Sequence, residues 1–190
     1  DIVEDLRPNI YDPVEGTTIA DAEVERLPRK TKLVDVRWTC EDGTELIIST
    51  TRPEMICACG VVVVHPDDER YQHLIGKRVT LPLPSHGRDT TVEIQTHPSV
   101  KSDFGSGILM VCSFGDQNDV AVFRELGLTP FPAIDLDGRM TDLAANFSGL
   151  TVKEAREAAI EQLESDGTLA NWVERDQDVP VSERGKNPVE

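Results

Sequence analysis

Apolar and polar positions in this chain alternate more often than they recur at helical spacing, so the pattern predicts strands first. Residues 33–38 and 45–49 alternate, and Glu41-Asp42-Gly43-Thr44 between them holds the Asp-Gly pair of a tight turn; together they predict a hairpin. Leu46-Ile47-Ile48 leads into Thr50-Thr51-Arg52-Pro53, where Pro53 ends the ladder by removing a donor and fixing φ. Residues 61–64 are all valine, which suits a strand buried on both faces or set in a barrel wall. Short strands follow at 78–83 and 91–96 around a turn at 84–87, then at 107–113 and 131–134, the last leading into the turn Asp135-Leu136-Asp137-Gly138.

Three segments carry helix signals. Pro66-Asp67-Asp68-Glu69 puts acids into the first turn of a short helix closed by Gly76. Asp116 opens a helix to Leu126, with Val120, Phe123 and Leu126 on one face and Gly127 as its cap. Thr151-Val152-Lys153-Glu154 is a capping box, followed by Ala155, Ala159 and Leu163 at helical spacing and ended by Gly167. Few helices among many strands, without βαβ alternation, predict an α+β fold: a mainly antiparallel, barrel-like β core with peripheral helices. The expected division is a connecting segment over 1–32, a core over 33–173 and an exit linker over 174–190, with 174–178 a charged linker.

Composition narrows the picture. A chain of 190 residues with 38% hydrophobic and 28% charged content reads as one ordinary globular domain or one with small appendages. It has no stretch like a signal peptide and no apolar run near the ~20 residues that span a bilayer, so the expectation is a soluble, cytoplasmic protein without membrane partners. The four cysteines, Cys40, Cys57, Cys59 and Cys112, read as buried free thiols. Net charge is -16, from 35 acids against 19 bases, which argues against a general nucleic-acid binder. Such an acid-rich, lysine-poor surface suits high salt, where screening shortens repulsion to about 3 Å at 1 M. The basic stretch at 26–32 is either a solvated loop or a contact to a nucleic-acid backbone.

Candidate chemistry gathers at two places. Thr50, Thr51 and Arg52 put two hydroxyls and a guanidinium where a strand becomes a loop. Phe104-Gly105-Ser106-Gly107 leads through an apolar strand to a turn bearing Asp116 and Asp119. Hydroxyls, one cation and two anions suit a polar, phosphate-bearing substrate with an amino group. By spacing alone, Asp116 at an N-cap with Asp119 three residues on is a capping arrangement, stabilising by about 1 kcal/mol. Cys112 lacks a neighbouring base to make it a nucleophile, and His65, His73, His86 and His97 are dispersed without triad companions.

Thr-Thr-Arg-Pro-Glu at 50–54, the segment 61–71, Phe-Gly-Ser-Gly at 104–107, the 115–119 turn, Asp-Gly-Arg-Met at 137–140 and Phe-Ser-Gly-Leu at 147–150 occur in an order that resembles a known domain. It is the editing (connective-insertion) domain of valyl-tRNA synthetase, a class I aminoacyl-tRNA synthetase, and the similarity runs from about Asp21 to the end. Leucyl enzymes share Thr-Thr-Arg-Pro; the 137–140 segment and its sequel favour the valyl type.

The resemblance implies an aminoacyl-tRNA deacylase of protein biosynthesis, which proofreads after transfer by hydrolysing threonyl-tRNA(Val). Its partners would be the mischarged tRNA(Val) 3′ end and the rest of an ATP-dependent valine–tRNA ligase chain, whose synthetic site this domain lacks. No cofactor and no metal are implied. By similarity Asp119 binds the α-ammonium of the aminoacyl group, and Thr50 and Asp116 join it as catalytic residues that orient ester and water. Thr51, Arg52, Glu54, Met55, Phe104, Gly107, Met110 and Cys112 line the substrate site, with Phe104 either against the terminal nucleoside or in the core. Met55, Met110 and Cys112 depart from the Thr, Lys and Thr common in the family, and each loses polarity. Ser182-Glu183-Arg184-Gly185 stands where the family often has a Cys-x-x-Cys knuckle, so no zinc is expected there. Alternatives are a leucyl- or isoleucyl-type editing domain, or a tRNA 3′-end binding module without hydrolysis.

Overall fold

The computed structural model describes residues 9–189. Its strands are β1 (Ile10–Asp12), β2 (Thr17–Ile19), β3 (Val24–Cys40), β4 (Glu45–Thr50), β5 (Cys59–Val64), β6 (Arg78–Thr80), β7 (Thr91–Thr96), β8 (Ile108–Cys112) and β9 (Leu169–Ser182). The helices are α1 (Gln117–Glu125) and α2 (Val152–Ser165), joined by short 3-10 turns of which Pro53–Ala58 matters most. β1 and β2 form a small hairpin. The other seven strands make one sheet in the order β4-β3-β6-β7-β5-β8, with β9 also on β3. Every pairing is antiparallel except β5 with β7.

The two ends of that order, β4 and β8, lie against each other, so the sheet curls into a half-barrel. The α+β, barrel-like expectation holds, with one parallel pair added. Along β3 the alternation is clean: Val34, Val36, Trp38 and Cys40 all face the core. The valine run at 61–64 is buried on both faces, as its pattern predicts. Val62 and Val64 enter the main core with Ile48 and Met110, while Val61 and Val63 pack with Val111, Val122 and Phe123 beneath α1. The Asp-Gly turn, the strand end at Thr50, both helix caps and the glycine ends of α1 and α2 also stand as expected.

Several local expectations are corrected. The basic stretch at 26–32 is not a solvated loop, and 174–178 is not a loose linker. Both lie in a long ribbon in which β3 pairs with β9 from Val24↔Ser182 to Val36↔Leu169. Lys30 is opposite Asp176, Lys32 opposite Glu174, and Lys30 Nζ lies 3.9 Å from Glu174 Oε2, so acids across the ribbon offset these two lysines. The connecting segment at its described end holds the β1–β2 hairpin, clasped by buried Asp12, which accepts from Ser182 Oγ at 2.6 Å; residues 1–8 of that segment lie outside the described residues. The helix expected from Pro66 shrinks to a 3-10 turn at Gln72–Leu74. Asp68 takes the Arg70 N–H at 3.1 Å and grips its guanidinium at 2.6 and 2.9 Å, which locks a turn where a helix would begin. Prolines at 82, 84 and 132 remove the donors that longer strands would need, so β6 ends at Thr80 and 131–134 leaves only an Ile134–Met140 bridge.

Gly60 sits at the bulge of β5 against β8, and the Phe123 ring of α1 lies so close that a Cβ there would overlap it. Replacing Gly60 with Ala should cost about 1–3 kcal/mol by pushing α1 off the sheet. Urea unfolding of G60A beside the parent chain reads this directly; an unchanged midpoint would mean α1 is not held at this point.

Candidate functional site

Two segments that the sequence keeps far apart meet at one corner. β4 delivers Thr50, buried, whose Oγ1 accepts the Arg52 N–H at 3.0 Å. Pro53 then starts the buried 3-10 turn Pro53–Ala58. From that junction Arg52 donates Nη1–H to the Gly115 carbonyl at 2.9 Å and Nε–H to Glu54 Oε1 at 3.2 Å. Gly115 belongs to the turn that carries the aspartates. A Cβ at Gly115 would overlap the Asp119 carboxylate, so only glycine allows the approach.

Asp116 and Asp119 divide the work that their spacing suggests. Exposed Asp116 caps α1, accepting the Asp119 N–H at 2.9 Å on Oδ1. Asp119 turns inward, and its Oδ2 accepts the Cys112 N–H at 3.2 Å. Burial pushes its carboxyl up to about 7, and the nearby Asp116 charge adds to this; the Cys112 N–H and the Arg52 cation work against it. A desolvated carboxylate beside a fixed guanidinium is suited to a cationic ligand group. The capping reading and the ligand reading are therefore compatible.

Glu54 is sealed: its side chain has no solvent exposure, and both oxygens are taken. Arg156 from α2 donates Nε–H to Oε2 at 3.0 Å and Nη2–H to Oε1 at 2.7 Å. Met55, Met110 and Cys112 are buried in the main core, and the Cys112 thiol donates to the Met55 carbonyl at 3.3 Å. Thr51 stays partly exposed next to Arg52. Phe104 and Gly107 lie at the other end of β8 from Cys112. Phe104 is solvent-exposed under the Arg175 guanidinium, 4.9 Å from its ring centroid, which rules out the core alternative. Gly105 (φ 57) leaves this loop flat on Ser49, the residue before Thr50. A cavity of about 390 Å³ lies elsewhere, lined by Glu45, Leu46, Ile47, Tyr71, His73, Leu74 and Ser106.

No protein-family profile matches the chain. Over 190 residues it is 42% identical to the valine–tRNA ligase of Aeropyrum pernix, with all of this chain and 23% of that protein matched. The valine–tRNA ligase of Archaeoglobus fulgidus is 41% identical over 189 residues, with all of this chain and 21% of that protein matched. In structure, a LeuRS of Agrobacterium radiobacter K84, solved in ternary complex with tRNA and LeuAMS, matches 78% of this chain and 20% of that one at a TM-score of 0.56 and 19% identity. The chain is similar to valine–tRNA ligases over its whole length. It spans less than a quarter of the length of these relatives, and the match is consistent with a connective-insertion editing domain.

The corner holds three residues that sequence reasoning missed. Arg156 carried no signal, since its partner lies 102 residues earlier. Gly115 was readable only as part of a turn. Phe114, exposed at φ 54, holds a left-handed backbone unusual for an aromatic, and only proximity to Gly115 hinted at it. All four cysteines are buried and free, and Cys112 is pushed up by its hydrogen bond with Cys59 and by burial, against any nucleophilic role. His97 does have companions, Ser99 Oγ at 2.7 Å and Glu125 Oε2 at 2.9 Å, but the Ser99 N–H also donates to its Nδ1 at 3.2 Å. That set locks a turn onto α1, well removed from Asp119 along the helix. Among the described residues no group of three or more His, Cys, Asp or Glu could hold a metal, and no helix is long and apolar enough to cross a membrane.

The Asp119 shift has a stability consequence with a definite sign. Its carboxyl titrates near 7 in the fold against about 4 when unfolded. Its contribution is therefore present below about pH 4 and lost as pH rises through about 7. Asp119→Asn should gain stability relative to the parent chain across that window and run parallel to it elsewhere. Denaturant midpoints at pH 4, 5.5, 7 and 8.5 measure the difference; a constant gap would show that Asp119 is not desolvated.

Proposed function

We propose that this chain hydrolyses threonine wrongly esterified to tRNA(Val), proofreading for a valine–tRNA ligase. The observation that carries the reading is the Arg52–Gly115 hydrogen bond, because it puts the hydroxyl–guanidinium corner and the Asp119 carboxylate on one small site. A synthetic pocket for valine rejects threonine by only about 10²-fold, a limit known for such enzymes, so a second site is required. Asp119 holds the α-ammonium, Arg52 and Thr51 steady the ester and the terminal nucleotide, and Thr50 with Asp116 orients the attacking water. Placing a water against the ester, with no covalent nucleophile, is the chemistry these residue types support. Exposed Phe104 offers a face for the terminal base, where stacking contributes about 1–3 kcal/mol.

On this reading residues 33–173 carry the site, while 1–32 and 174–190 lead to and from the rest of the synthetase. The body is acidic, with a net charge of -16, so affinity for RNA comes from contacts in the parent chain more than from this surface. Mixing the chain with threonyl-tRNA(Val) at high RNA concentration and fixed salt should release threonine, and valyl-tRNA(Val) should survive. Asp119→Ala should slow release roughly 10- to 100-fold, the loss of one charge-assisted hydrogen bond. An unchanged rate in D119A would remove Asp119 as the anchor. Binding of the RNA end with no release would leave a clamp in place of a deacylase.

A further inference from the structure

We infer that Arg156 is a positioning residue for the editing site, acting through Glu54 to hold the Arg52 guanidinium on the Gly115 carbonyl and beside Asp119. This rests on the proofreading reading for its function, although its geometry stands independently. Arg156 is itself firmly placed. The Thr151 hydroxyl accepts the Glu154 N–H at 3.3 Å while Glu154 takes the Thr151 N–H at 2.9 Å, fixing the start of α2. Ala155, Ala159 and Leu163, none exposed to solvent, seat the same helix against the core, and α2 packs on the Pro53–Ala58 turn that carries Glu54.

From that platform Arg156 grips Glu54 with two hydrogen bonds, to Oε2 at 3.0 Å and Oε1 at 2.7 Å. Glu54 therefore needs only one bond from Arg52, its Nε–H at 3.2 Å, and Arg52 Nη1 reaches Gly115 at 2.9 Å. Without Arg156, the sealed carboxylate would draw the whole fork of Arg52, since a guanidinium pairs best in bidentate fashion. Arg52 would then leave Gly115 and move away from Asp119. Among the described residues the charged groups facing Asp119 are Arg52 and Asp116, with the Cys112 thiol beside it, so none of them makes good the loss of Arg52. Glu54, expected to bind substrate, becomes the middle of a relay and touches no ligand.

The test is a titration joined to kinetics. Arg156→Met and Arg156→Lys are made in the full chain, and the Asp119 carboxyl is followed by carbon-13 NMR. Its midpoint should rise from about 7 by roughly one unit in R156M and by less in R156K. Threonyl-tRNA(Val) deacylation should fall roughly tenfold in kcat, with KM little changed. An Arg52→Met, Arg156→Met pair should be no slower than Arg52→Met alone, because both act on one element. If R156M is too unstable to titrate, R156K alone must show the intermediate shift. A folded Arg156 variant whose Asp119 titrates as in the parent overturns the inference. A shifted midpoint in a chain that never releases threonine supports the relay and overturns proofreading, so the two failures are distinct.

Discussion

The Glu54 carboxylate lies in the core with no exposure to solvent, and an ion in that position survives only if its lone pairs are all engaged. Two arginines from different parts of the chain meet that demand. Taking away one partner of such a pair costs about 3–5 kcal/mol, whereas replacing the whole set with apolar groups is often neutral. A set this easily dispensed with for stability is better explained by what it fixes in space. What it fixes is Arg52, at the point where β4 ends and Pro53 forbids the strand to continue. The half-barrel contributes the other half of the geometry. Because β4 and β8 close the sheet, the turn after β8 arrives over the end of β4, and Arg52 meets Gly115.

Asp119 is the complementary case. It is desolvated, and among the described residues one cation is near it and one N–H bonds it, so its charge is under-compensated. An ammonium group supplies the missing compensation. Binding it would pull the carboxyl's titration down from about 7 and complete ionisation at neutral pH. Desolvation at Asp119 and full satisfaction at Glu54 thus belong together. The sealed carboxylate holds the arginine that keeps the desolvated one partly ionised.

What the sequence made legible was local. The hairpin of β3 and β4, the valine strand, the caps of α1 and α2 and the turn glycines each follow from residues within a few positions of one another. The ribbon was misread because both its faces are largely solvated, so β3 and β9 carry lysines and acids where a half-buried strand would show alternation. The short helix after Pro66 was misread because its signal is a matter of acids near a proline, and the Asp68–Arg70 grip uses one of those acids differently. At the site, spacing alone pointed to capping for Asp116 and was right. The inward turn of Asp119 came from resemblance, since nothing in the spacing says which carboxylate faces the core. Arg156 could not be read at all, because a salt bridge between residues 54 and 156 leaves no periodic trace.

The apolar replacements now have a physical meaning. Met55, Met110 and Cys112 are packed in the main core, with the Cys112 sulfur bonded to the Met55 carbonyl, so none of them offers a hydroxyl or ammonium to a ligand. On the proofreading reading, the threonine hydroxyl must then be sensed by what remains polar at the corner: Thr50, Thr51, Arg52 and the second oxygen of Asp119. Thr50 is suited to this. Its oxygen already accepts the Arg52 N–H, which leaves its own proton free to donate. Valine in the same place would put a methyl against that donor and leave it unsatisfied, a penalty of about 1–3 kcal/mol. Discrimination by an unmet donor in a small, partly buried corner requires no larger polar lining, and an apolar floor sharpens it by denying the donor a competing partner.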